Sequence, residues 1–154
     1  MDRLYRIGFN LILLTLGLDW LRSSLGKITG GKFVTTLTPT LQKFISNNPN
    51  AWYNEFVKNT VIPNSTLFGN LTMWGEFLSA VAITFGSIYL LLNKKGNKKV
   101  EWLLLLGLIG GALLNINFYF AAGWTSSSTE SLNLIMFAIQ AVAIVLFGKI
   151  LLEK

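Results

Sequence analysis

The chain has 154 residues, of which 52% are hydrophobic and only 13% are charged, and its formal net charge is +6. Soluble domains carry about a quarter charged residues, so the composition excludes an ordinary soluble protein and favours a single membrane domain. The sequence contains neither Cys nor His, which excludes a disulfide framework and removes the commonest ligand of haem, copper and zinc. We predict no metal site and no tightly bound cofactor in this chain. Since the basic residues form no single patch, we also predict no nucleic-acid partner.

Four apolar runs predict an all-α membrane protein, a bundle of four transmembrane helices in contact with the lipid bilayer. They cover about residues 4–21, 67–92, 100–122 and 132–152, and each is long enough to cross the hydrocarbon core. The first run follows Arg3 and Arg6, as a signal peptide would, but it ends at Asp19 and Trp20 without a small-residue cleavage pattern. We therefore interpret it as a retained helix.

The polar connection of residues 22–66 is too long to be a featureless loop. Apolar residues recur at helical spacing after Pro39 and again after Asn50, and a segment rich in Asn with Pro49 separates the two stretches. We expect two short amphipathic helices here, lying at the membrane interface.

The charges beside the apolar runs predict the orientation of the chain. Lys and Arg occur at both termini and in the connection of residues 93–99, whereas the connection of residues 123–131 has neither. By the positive-inside rule both termini are cytoplasmic and the loop 22–66 is external. Three of its basic residues, Arg22, Lys27 and Lys32, are candidates for binding an anion such as an oxidised sulfur species. A solvated face near lipid phosphates explains them equally well.

Glu76 is the strongest candidate for a functional residue, because an ionisable group inside a bilayer is costly and needs a partner or a role. It belongs to a stripe of small and polar residues on one face of the second run, which marks the side packed against other helices. The members of this stripe are Gly69, Thr72, Glu76, Ser79, Ala80 and Ser87. A carboxylate there must be paired, hydrated or protonated.

Other polar residues lie at a similar depth in the predicted topology. They form the expected polar cluster: Asp19, Glu76, Asn115, Asn117 and Asn133. Gln140 follows Asn133 by seven residues, so it shares a face with Asn133 and lies deeper. Hydrogen bonding between helices explains the Asn and Gln residues as well as a binding site does. Asp19 is either a residue of the interface at the helix end or a catalytic partner of Glu76.

Aromatic residues gather toward the predicted external surface, among them Trp20, Trp52, Trp74 and Trp124. An aromatic belt at the membrane interface is the ordinary explanation. The alternative is that some of them, Trp74 in particular, stack on a flat quinone ring.

Several segments resemble those of the DoxX/DoxD family, in the same order along nearly the whole chain. Arg6-Ile-Gly-Phe and Thr15-Leu-Gly-Leu-Asp19-Trp20 resemble its opening helix, and Gly75-Glu76-Phe-Leu resembles its "GE" signature. The segment from Ala51 to Gly69 is similar to its external helix, and the segment from Asn117 to Asn133 is similar to its third loop. The resemblance implies four transmembrane helices and kinship with the small membrane subunit of thiosulfate:quinone oxidoreductase.

This resemblance implies a membrane subunit of a quinone-linked respiratory complex in the plasma membrane of a prokaryote, with the other subunits as partners and quinone as the ligand. Glu76 and the Asn cluster would then hold the quinone head group or relay a proton. Electrons from a sulfur donor would need a cofactor on another chain or a bound quinone. The alternative is a non-catalytic structural or assembly subunit of a larger complex such as a terminal oxidase, which the absence of His and Cys from the sequence favours.

Overall fold

The computed structural model describes residues 3–93 and 96–153. Within these ranges the chain forms α-helices and no strand. The helices are α1 (Arg3–Gly30), α2 (Leu37–Ile45), α3 (Ala51–Phe56), α4 (Ser65–Leu92), α5 (Lys98–Ala122) and α6 (Ser127–Leu152). A π-helical turn, Val57–Val61, follows α3, and a 3-10 turn, Gly123–Thr125, follows α5. Three lysines of the predicted charge pattern, Lys94, Lys95 and Lys154, lie outside the described residues.

Four of the helices, α1, α4, α5 and α6, are long and apolar enough to cross a membrane. The prediction of a four-helix membrane protein is confirmed in this respect. Large apolar side chains on these helices face outward, for example Leu78 and Leu113, each 63% exposed, and Val145, 69% exposed. Such outward apolar surfaces are expected where lipid chains are the solvent.

The long helices pack in chain order, α1 on α4, α4 on α5 and α5 on α6. We call the end of the bundle at Gly30, Ser65 and Ser127 the loop end, and the opposite end, at Arg3 and Leu152, the terminus end. Glycines allow the close approaches. A Cβ at Gly17 would lie 2.6 Å from Thr84 Oγ1 and 2.9 Å from its backbone N, and one at Gly107 would lie 2.7 Å from Ala82 Cβ.

The first helix is longer than its apolar run. The run ends near residue 21, whereas α1 continues to Gly30. Apolar residues recur at helical spacing beyond the run, at Leu21, Leu25 and Ile28, and Ser24 between them is fully buried. Hydropathy therefore marked the end of the apolar stretch and not the end of the helix. The expectation that residues 22–30 belong to a loop was wrong.

The connection between α1 and α4 packs on the loop end of the bundle. Asn48 is 7% exposed, and its Nδ2 donates a hydrogen bond of 2.7 Å to the carbonyl oxygen of Phe120, in the last turn of α5. The last carbonyls of a helix have no partner within it, so this side chain supplies one. A small apolar cluster joins the connection to α5, and its buried members are Leu41, Tyr53, Val57, Val61 and Ala121.

Large apolar side chains dominate the middle of the bundle, although Ser79, Ser87 and Gln140 are also buried there. Four side chains contributed by α1, α4 and α5 have no exposed surface: Leu13, Ile83, Leu104 and Leu108. We call these four the apolar layer. They belong to one core cluster and lie along the helices between Glu76 and Asn115, toward the loop end, and Asn10, toward the terminus end.

Candidate functional site

An ion pair between α1 and α4 lies at the centre of the candidate site. The ammonium group of Lys27 hydrogen-bonds to both carboxylate oxygens of Glu76. The Glu76 side chain is only 3% exposed and that of Lys27 is 24% exposed. Glu76 follows Ser65, the first residue of α4, by eleven positions, which is about 16 Å along the helix axis. The carboxylate therefore lies well inside the bundle, and the pair is largely withdrawn from solvent.

Aromatic rings and one hydroxyl complete the surroundings of the Lys27 ammonium. Its Nζ lies 3.3 Å from Ser23 Oγ, one turn earlier on the same helix. It also lies 5.2 Å from the ring centroid of Phe33 and 5.6 Å from that of Phe118. A cation within about 6 Å of a ring centroid is attracted to the face of the ring. These contacts hold the ammonium beside Glu76.

A cavity of about 180 Å³ opens beside the ion pair, and we call it the polar cavity. Residues from α1, α4, α5 and α6 line it: Asp19, Trp20, Ser23, Lys27, Glu76, Asn115, Phe118, Leu132, Asn133 and Met136. The structure thus brings together four residues of the predicted polar cluster, Asp19, Glu76, Asn115 and Asn133.

An amide pair joins α5 to α6 next to this cavity. Asn115 Nδ2 donates a hydrogen bond of 2.8 Å to Gln140 Oε1, and the two residues are 1% and 0% exposed. A Cβ at Gly111 would collide with the Gln140 amide, so this glycine makes room for the side chain. Gln140 does not itself line the cavity, but its hydrogen bond holds Asn115, which does.

Asn117 does not lie in the polar cavity, contrary to the prediction. Its Oδ1 accepts a hydrogen bond from the Tyr53 hydroxyl of α3. Residues two positions apart on a helix do not face the same way, so Asn115 and Asn117 diverge even though their depths are similar. Asn117 therefore attaches the connection between α1 and α4 to α5. Burial raises the pKa of Tyr53 to about 12, which keeps its hydroxyl protonated and able to donate.

Trp74 also lies away from the site. It is 46% exposed on α4, and its ring contacts Phe77 edge-on, with 6.0 Å between the ring centroids. It precedes Glu76 by two positions and so faces away from it. The indole that does line the cavity belongs to Trp20, which is 4% exposed.

The three basic residues predicted to bind an anion have different positions. Lys27 is the cation of the buried pair. Arg22 lies on α1 and Lys32 just after it, and both are exposed. The three do not form one anion-binding group. Sequence reasoning placed Lys27 in a loop. A signal for the correct position was present, since residues spaced four apart share a face of a helix, and this spacing relates Asp19, Ser23 and Lys27 if the helix continues past Trp20.

Asp19 stands where the polar cavity meets a second concavity. We call this concavity, of about 370 Å³, the lateral groove. It is lined by side chains of α1 and α6 alone: Ile12, Thr15, Leu16, Asp19, Leu132, Ile135, Met136 and Ile139. Asp19, Leu132 and Met136 line both spaces, so the cavity adjoins a groove on the lipid-facing surface of the bundle.

The site combines hydrogen-bond donors, acceptors and aromatic rings in a small volume. Lys27 and the Asn133 amide offer N–H groups, while Asp19 and Glu76 offer carboxylate oxygens. Such a site can orient a small polar group by hydrogen bonds and can exchange a proton with it through the Lys27–Glu76 pair. Trp20 and Phe118 supply ring faces against which a flat molecule can pack.

Comparisons of the chain with known protein families, with curated proteins and with solved structures gave no match.

Proposed function

We propose that this chain is a membrane subunit of a quinone-linked redox complex of the thiosulfate:quinone oxidoreductase type, and that its polar cavity binds the quinone head group. The observation that carries the proposal is the Lys27–Glu76 ion pair in the wall of a small cavity that adjoins a lipid-facing groove. The resemblance to the DoxX/DoxD family supports the same reading.

The cavity suits the head of a quinone better than a whole quinone. Pockets that enclose a drug-sized ligand measure roughly 300–1,000 Å³, and this one measures about 180 Å³. Quinone carbonyl oxygens accept hydrogen bonds. The Asn133 amide can donate one, since only one of its two N–H groups is used by the carbonyl oxygen of Thr129. The Lys27 ammonium can donate another in place of its 3.3 Å bond to Ser23. The Trp20 and Phe118 rings can pack against the flat face of the head.

Reduction of a bound quinone to the quinol takes two electrons and two protons. In this proposal the electrons come from an oxidisable sulfur anion, such as thiosulfate, through a cofactor on a partner subunit. Lys27 holds a proton at hydrogen-bonding distance from Glu76, and Asp19 lies at the mouth of the cavity. These three groups can pass protons to the place where a carbonyl oxygen would lie, which makes them the residues of general acid–base catalysis.

The proposed setting is the plasma membrane of a prokaryote, with both termini in the cytoplasm and with α2 and α3 outside. The distribution of Lys and Arg between the short connections supports this orientation. Arg22 and Lys32 then face the external side, where an anionic donor or the acidic surface of a partner subunit would approach.

Glu76→Gln in the intact complex tests the proposal. We expect quinone reduction to fall at least about 100-fold, because general acid–base groups typically contribute 10²–10⁴-fold. Glu130→Gln is the matched control, since this carboxylate is exposed at the start of α6. Unchanged quinone reduction by an assembled Glu76→Gln complex would contradict the proposal.

A non-catalytic structural or assembly subunit is the second candidate, favoured by the fact that Lys27 and Glu76 satisfy each other and connect α1 to α4. The double variant Lys27→Met/Glu76→Leu distinguishes the two functions. A structural subunit tolerates an apolar pair of similar size, so its complex assembles with its haem- or flavin-bearing partners and keeps its activity. If the cavity is a quinone site, the complex with the double variant assembles equally well but loses its activity.

A further inference from the structure

The lateral groove follows the seam between α1 and α6, the first and last long helices of the bundle. Toward the loop end it adjoins the polar cavity, with which it shares the lining residues Asp19, Leu132 and Met136. Beyond the groove, toward the terminus end, Phe9 of α1 and Phe147 of α6 stack with their ring centroids 6.5 Å apart and their planes at 30°. The seam is therefore closed by aromatic packing near the terminus end and concave near the loop end.

The lining of the groove changes from apolar to polar along its length. Ile12, Ile135 and Ile139 line the groove only, whereas the carboxylate-bearing Asp19 lines both the groove and the cavity. Ile12 to Asp19 spans seven residues of α1, or about 10 Å. This pattern matches an amphiphile whose polar head lies in the cavity and whose hydrocarbon chain leaves it sideways.

We infer that the lateral groove is the subsite for the first part of the isoprenoid tail of the quinone, so that the ligand reaches the polar cavity from the bilayer between α1 and α6. The inference rests on the proposed function. Since the cavity holds only a small head, a tail must leave it, and the groove is the lipid-facing space that shares three lining residues with it.

The groove accommodates the tail by leaving space for it, and it adds little hydrophobic contribution to the affinity for the quinone. Lipid chains are as apolar as Ile and Leu side chains, so a tail gains little when it moves from lipid to protein. A bulky side chain in the groove should therefore exclude a tailed quinone by steric conflict. It should leave a tail-less quinone unaffected, because that molecule needs only the cavity.

Ile135→Trp tests the inference with Leu134→Trp as its control. The two neighbours on α6 are similarly exposed, at 57% and 53%, but only Ile135 lines the groove. On the opposite wall, Ile12→Trp and Leu11→Trp form a second matched pair, each original side chain being 49% exposed. Since all four side chains face outward, a larger ring at these positions is compatible with the fold.

The assay measures KM of the intact complex in lipid nanodiscs for two probes, a benzoquinone without a tail and the same ring with two isoprenoid units. We expect Ile135→Trp and Ile12→Trp to raise KM for the tailed probe by about tenfold or more, a loss of roughly 1.4 kcal/mol. KM for the tail-less probe should not change, and the two control variants should change neither value.

Equal KM values of the groove and control variants for the tailed probe would overturn the inference and leave the proposed function standing. Equal weakening of both probes would also overturn it, because the substitution would then act on the cavity. If the unsubstituted complex reduces neither probe, the proposed function is refuted, and the tail subsite with it.

Discussion

Lys27 and Glu76 are 49 residues apart in the sequence and form an ion pair that joins α1 to α4 inside the bundle. Each charged residue accounts for the presence of the other inside the bundle. A carboxylate that is 3% exposed is costly without a counter-charge, and the polar second half of α1 supplies one. The pair therefore sets both the packing of the two helices and the electrostatic character of the polar cavity.

Breaking this pair should destabilise the protein strongly. Lys27→Met leaves the Glu76 carboxylate buried without a cation, which typically lowers the free energy of unfolding by about 3–5 kcal/mol. The double variant Lys27→Met/Glu76→Leu should recover most of that loss, since an apolar pair leaves no uncompensated charge. Unfolding by denaturant in detergent micelles measures both changes.

The exposed pair of Lys149 and Glu153, with 3.8 Å between Nζ and Oε1, provides the control. Both side chains are well solvated, so Lys149→Met should leave the free energy of unfolding nearly unchanged. A double variant at Lys27 and Glu76 that is as unstable as the single variants would show that the charges are not coupled as we expect.

Gly17→Ala should weaken the contact between α1 and α4. The new Cβ would lie 2.6 Å from Thr84 Oγ1 and 2.9 Å from the Thr84 backbone N, and the backbone cannot move aside without shifting the helix. Overpacking of this kind costs about 1–3 kcal/mol. Gly8→Ala on the same helix meets no atom within 4 Å, so the helix propensity of Ala should leave stability unchanged or slightly increased. Melting temperatures of the two variants, measured side by side, check the difference.

Tyr53 should make the stability depend on pH in the alkaline range. Its pKa is about 12 in the folded chain, against about 10 in an unfolded one. Below pH 10 both states keep the proton and Tyr53 contributes no pH dependence. Between pH 10 and 12 only the unfolded state releases the proton, so stability falls as pH rises, by at most about 1.4 kcal/mol per pH unit.

Tyr53→Phe should therefore lose less stability between pH 10 and 12 than the unmodified chain. Denaturant unfolding at several pH values measures the difference, with Tyr5→Phe, a position 70% exposed, as the control. Identical pH profiles for Tyr53→Phe and the unmodified chain would show that the Tyr53 hydroxyl is not protected from ionisation.

Quinone binding should be visible in the fluorescence of one tryptophan. Trp20 lines the polar cavity and is 4% exposed, whereas Trp74 is 46% exposed and faces away from it. A tail-less benzoquinone should quench the emission in a saturable way. Trp20→Phe should remove most of that saturable part, and Trp74→Phe should keep it. Loss of saturable quenching in Trp74→Phe alone would place the ligand on the lipid-facing side of α4 instead.

The sequence predicts the four long helices well because each apolar run has about the number of residues that a helix needs to cross the hydrocarbon core. Glu76 also stands out, since small residues on its face mark a packed helix surface. Its partner does not, because the hydropathy of α1 falls at Trp20 while backbone hydrogen bonding continues to Gly30. Only the spacing of Asp19, Ser23 and Lys27 signals that these residues share a helix face.

Depth alone misplaces two of the predicted site residues. Asn117 and Trp74 lie close to the predicted depth of Asn115 and Glu76, yet each is two positions from its neighbour and points elsewhere. The direction of a side chain around the helix decides which partner it meets. The hydrogen bond of Asn117 to Tyr53 depends on how the connection folds back onto α5, and no local pattern in the sequence specifies that.

The apolar layer of Leu13, Ile83, Leu104 and Leu108 affects which end of the bundle exchanges protons with the polar cavity. These side chains have no exposed surface and offer a proton no polar group to bind. They lie between the polar cavity and the terminus end, and Glu76 is eleven residues from the start of α4 and sixteen from its end, so the loop end is the nearer aqueous surface for a proton leaving the cavity. A proton taken up or released in the cavity would then be exchanged mainly with the compartment at the loop end.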